Sequence, residues 1–108
     1  MRKDETVMAD STTRSMSVSA GHSFALTLDA NPTTGYQWFL SNPPDRRFLA
    51  LLSNEYVPPS AARIGQGGHQ VLTFHALQPG MTSIALKYCR PWDHLDCGSF
   101  SFTIVRII

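Results

Sequence analysis

Phe24-Ala25-Leu26-Thr27-Leu28-Asp29-Ala30 and Tyr36-Gln37-Trp38-Phe39-Leu40 stand on either side of Asn31-Pro32-Thr33-Thr34-Gly35, and this strand, turn, strand arrangement decides the fold. Both flanks alternate apolar and polar side chains, the signature of a half-buried strand. Pro32 fixes its own φ, Asn31 can bond its side chain to nearby backbone, and Gly35 can take the positive φ that a turn before a strand often demands. The segment therefore reads as a stiff loop with the small polar Thr33 and Thr34 at its tip. The pattern repeats along the chain, with strands over 16–20, 24–28, 36–40, 48–52, 71–77, 84–88 and 100–104. Gly21-His22, Asn42-Pro43-Pro44-Asp45 and Gln78-Pro79-Gly80 separate them as turn signals. No stretch of ten or more residues shows a helical period. About seven short strands predict an all-β chain, an antiparallel sandwich.

The 108 residues suffice for one hydrophobic core. We expect a polar N-terminal tail over residues 1–14 and a single domain over 15–108. A content of 43% hydrophobic and 16% charged residues is that of a globular chain rather than a disordered one. A net charge of +1 leaves no clustered positive field for nucleic acid or an anionic membrane, so neither is expected as a partner. No apolar run approaches the ~20 residues of a membrane span, and residues 1–14 lack the apolar stretch of a signal peptide. A periplasmic or secreted location would thus require a leader removed beforehand.

The four histidines, His22, His69, His75 and His94, fall on different predicted elements, and no nucleophile, base and orienter come together in the pattern. His75 lies within a strand and reads as structural. A zinc site from Cys89, His94 and Cys97 with Asp93 or Asp96 lacks the spacing of a closed site. We therefore expect no enzyme and no cofactor.

With the strands lettered A to G, three turn-building segments become the B-to-C, D-to-E and F-to-G connections, which emerge at one pole of an immunoglobulin-like sandwich. The first is Asn31 to Tyr36. The second, Gly65-Gln66-Gly67-Gly68 after Ile64, leaves backbone groups uncovered for an extended chain or a cleft wall. It is no phosphate cradle, since no Lys-Ser or Lys-Thr follows and no helix opens there; alone, it reads first as a flexible linker. The third, Arg90-Pro91-Trp92, sets a large aromatic in a connection that proline stiffens. Trp and Arg often dominate interface energy, although a tryptophan there can also fold back as a lid on the core. Trp38, in phase with Tyr36 and Leu40, reads as a core tryptophan. Cys89 and Cys97 bracket the third segment where cross-strand Cβ atoms can come within disulfide reach, the alternative being two free thiols.

Together and in this order, Asn31-Pro32-Thr33-Thr34-Gly35-Tyr36-Gln37-Trp38, Gly65-Gln66-Gly67-Gly68 and Arg90-Pro91-Trp92 resemble the motifs of the chagasin family of inhibitors of papain-like cysteine proteases. The resemblance spans roughly residues 18–105. It implies a monomeric, reversible, tight-binding inhibitor of papain and cathepsin L-like enzymes. Thr33 would lie close to the catalytic thiol, the glycine-rich loop on the unprimed side of the cleft, and Trp92 on the primed side with Arg90 nearby. Tyr36 would brace the first loop from beneath. The competing reading is an immunoglobulin-like adhesion or ligand-binding module with no protease target.

Overall fold

The computed structural model describes residues 11–31, 35–59 and 67–108, and its regular elements are all strands. These are β1 (Ser11–Val18), β2 (Ser23–Ala30), β3 (Gln37–Leu40), β4 (Leu49–Val57), β5 (Gly68–Ala76), β6 (Gly80–Arg90) and β7 (Asp93–Ile107). They form an immunoglobulin-like sandwich of a four-stranded sheet, ordered β1-β7-β6-β3, and a three-stranded sheet, ordered β2-β5-β4.

Alternation builds the core. Leu26, Leu28 and Ala30 of β2 face inward with Leu72, Phe74 and Ala76 of β5, and meet Ile84 and Leu86 of β6 and Val105 and Ile107 of β7. Burying each of the larger of these side chains contributes about 1.5–3 kcal/mol. Trp38 is 7% exposed and belongs to this core, as its phase in the sequence indicates.

The strands depart from the apolar pattern at their ends. β1 begins at Ser11, so Ser11 to Arg14 are strand rather than part of the polar tail expected over residues 1–14. They pair in parallel with Phe100 to Thr103 of β7, backbone to backbone, which leaves no apolar signature. All other neighbouring strands pair antiparallel. β4 continues through polar Ser53-Asn54-Glu55 to Val57 for the same reason, being bonded to β5 along that length.

In β7 the buried set is not the one that carries the phenylalanines. Phe100 and Phe102 lie outward at 49% and 40% exposure, whereas Ser101, Thr103, Val105 and Ile107 are buried. A strand can turn only one alternate set inward, and Val105 and Ile107 hold the set that meets the core. One consequence is a fully buried Thr103 whose hydroxyl has no hydrogen-bond partner among the described residues. Thr103→Val removes that unpaired hydroxyl while keeping the shape, and is expected to raise the free energy of unfolding by about 1 kcal/mol. Urea unfolding measures it, and a loss of stability would contradict the assignment.

Candidate functional site

In the three-stranded sheet, Ala30 at the end of β2 pairs with Gly68 at the start of β5, and Val57 at the end of β4 pairs with His69. In the other sheet, Gln37 at the start of β3 pairs with Cys89 near the end of β6. The connections after β2, β4 and β6 consequently leave the sandwich at one pole.

Side chains lock the two sheets together beneath that pole. The backbone N–H of Trp38 donates to Gln70 Oε1 at 2.9 Å, and Gln70 Nε2 donates to the Trp38 carbonyl at 2.9 Å and to Asn54 Oδ1 at 2.8 Å. Gln70 is 7% exposed, so its amide serves the backbone of β3 as a neighbouring strand would. The Trp38 indole donates to the Asp29 carbonyl at 3.0 Å, and the Asn31 N–H donates to the Tyr88 hydroxyl at 3.0 Å. The base of the first loop is thus tied to the opposite sheet twice.

Above these bonds stands a column of rings. Trp38 and Tyr88 lie 4.9 Å apart, Tyr88 and Tyr36 stack at 5.3 Å, and the Arg90 guanidinium covers Tyr36 at 4.8 Å from its centroid. Such ring and cation contacts contribute about 0.5–1.5 kcal/mol each beyond their area. Tyr36 therefore joins the exit of the first loop to the third.

The loops also touch directly. Gly35 has φ +85°, and a Cβ built there would come 2.9 Å from the Trp92 ring, which lies over this backbone. Trp92 is 74% exposed, resting on the first loop rather than closing the core as a lid. A Cβ on Gly67 would come 2.8 Å from the Ala30 carbonyl, and one on Gly68 would run into the Val57 carbonyl and the Tyr56 hydroxyl. Glycine at these positions lets the second connection close against the first.

Of the residues singled out in the sequence, Asn31, Gly35, Tyr36, Gly67, Arg90, Pro91 and Trp92 lie at this pole. Gly68 lies just below it as the buried first residue of β5. Pro32, Thr33, Thr34, Ile64, Gly65 and Gln66 fall outside the described residues. Cys89 and Cys97 form a disulfide across β6 and β7, with Cα atoms 4.2 Å apart. Sequence reasoning missed Gln70 and Tyr88. Tyr88 continues the inward phase of Ile84 and Leu86, a signal for its ring but not for its hydroxyl.

Among known proteins, the model of the family described as Chagasin family peptidase inhibitor I42 matches residues 17–104. Chagasin of Trypanosoma cruzi is 29% identical over 94 residues, which cover 82% of this chain and 84% of that protein. The solution structure of Amebosin superposes with a TM-score of 0.70 at 26% identity, over 91% of this chain and 96% of that one. PbICP-C, solved in complex with falcipain-2, shares the fold with a TM-score of 0.65 at 15% identity, over 98% and 94% of the two chains.

Gly35 offers a direct check on the seat of Trp92. Gly35→Ala imposes a Cβ on a left-handed residue and presses it into the indole, and is expected to lower the free energy of unfolding by about 1–2 kcal/mol. Denaturant unfolding reads this, and unchanged stability would mean that the close approach is absent.

Proposed function

The chain belongs to the chagasin family of peptidase inhibitors, and we infer that it blocks papain-like cysteine proteases by seating its loop pole in their active-site cleft. Its activity is inhibition, not catalysis. The observation that supports the pole as the contact is the fixed alignment of its parts: Asn31 held by Tyr88, Tyr36 packed under Arg90, Gly67 against Ala30, and an exposed Trp92 on Gly35.

Trp92 supplies a large apolar anchor already held in place, so docking freezes little additional motion. Arg90, part-buried on Tyr36, sits next to that anchor. Gly67, lacking a Cβ, lies against the Ala30 carbonyl and so brings the entry to β5 close to the base of the first loop. By the family resemblance, Thr33 approaches the catalytic thiol, and substrate is excluded because the cleft is filled. An interface of the usual ~1,600 Å² is enough for tight, reversible binding when the partners are this preorganised. A net charge of +1 agrees with a contact made by shape and apolar area rather than by long-range attraction.

Titration of papain and cathepsin L tests the reading. Stoichiometric loss of activity is expected, whereas no effect at micromolar protein would favour the adhesion or ligand-binding module. Trp92→Ala is expected to weaken inhibition by about 2 kcal/mol, roughly 30-fold, with an unchanged melting temperature. Inhibition equal to that of the parent would remove Trp92 as the anchor.

A further inference from the structure

Near the pole, the β6–β7 ladder is interrupted in an unusual way. Tyr88 pairs with Ser99, Cys89 with Cys97, and Arg90 with Asp93. On β6 the last two partners are adjacent, but on β7 they are separated by His94, Leu95 and Asp96, which face no β6 residue. Extra residues of this kind bend a strand and redirect side chains, and they recur beside binding and active sites.

The excursion is fixed at several points. The Leu95 N–H donates to Asp93 Oδ1 at 3.1 Å. The His94 ring packs on Phe39 of β3 with centroids 4.7 Å apart. Cys97 Sγ lies 3.1 Å from the His94 carbonyl oxygen, and the Cys89–Cys97 disulfide closes the base. Leu95 itself is 99% exposed. A single exposed leucine is ordinary on a protein surface. This one is presented on a pinned segment within ~11 Å of chain from Trp92, itself 74% exposed.

We propose that Leu95 is a specificity-determining contact of the inhibitor, entering an apolar depression on the rim of the protease cleft beside the surface that receives Trp92. This rests on the reading that the loop pole docks on cysteine proteases, and it adds a residue outside the three motifs. Because the excursion is already ordered, burying Leu95 meets little opposing entropy. A protease whose rim is apolar at that place is favoured, and one that presents an ionised group there is disfavoured, since the charge would be desolvated against a leucine.

Inhibition constants for papain and cathepsin L, measured with Leu95→Ala, Leu95→Asp and the control Leu52→Asp on β4, decide the matter. Leu95→Ala is expected to weaken inhibition of at least one enzyme about tenfold, and Leu95→Asp about 100-fold, mainly through faster dissociation. Melting temperatures stay at the parent value because the side chain touches so little of its own protein, and Leu52→Asp inhibits as the parent does. If Leu95→Asp inhibits both enzymes within twofold of the parent, or if Leu52→Asp loses as much, the proposal is overturned. A parent chain that inhibits neither enzyme would instead refute the reading on which the proposal stands.

Discussion

The side-chain amide of Gln70 pairs with both the N–H and the C=O of Trp38, joining β5 of one sheet to β3 of the other. Sandwich sheets are ordinarily held by apolar contact alone, which is non-directional and tolerates sliding. Two hydrogen bonds to a single backbone residue do not. They place the start of β3, and with it the exit of the first loop, at one height relative to β5 and the second loop. The Trp38–Tyr88–Tyr36 column and the Arg90 guanidinium above it stand on β3, on the residue that leads into it, and on β6, the strand that pairs with it. Losing the amide would leave buried polar groups on Trp38 unmatched as well as loosening the joint.

Backbone proximity, ring stacking and the Arg90 guanidinium on Tyr36 assemble the described part of the pole. His69 Nε2 lies 3.3 Å from Asp29 Oδ1, between side chains well open to solvent, where such contacts contribute little. Glycine carries more of the architecture. At residues 35, 67 and 68 the lack of a Cβ lets three connections converge on a single rim, where bulkier residues would push them apart. Rigidity here comes from crowding that only glycine permits.

The strands and their order were legible because alternation is imposed by burial, and burial dominates in a small sandwich. The three motifs were legible because proline and glycine mark connections, and because a tryptophan set in one stands out. Backbone pairing was not: Ser11 to Arg14 lie in a strand through hydrogen bonds that any residue supplies. The facing of Phe100 and Phe102 was not legible either, since local alternation cannot tell which apolar set the core will take when Val105 and Ile107 follow out of step. Gln70 looks like one more polar residue in a strand, and its partner Trp38 is 32 positions away. The excursion at His94 to Asp96 depends on the registry of a hairpin, which composition does not encode.

Cys89 and Cys97 enclose Arg90, Pro91 and Trp92 in a covalent ring closed through sulfur. Hydrolysis of any one peptide bond inside that ring would open it without parting its two ends, and the column beneath would still hold Arg90 against Tyr36. A protein whose partners are enzymes that cut polypeptides thereby carries its tryptophan on a segment that a single nick cannot detach.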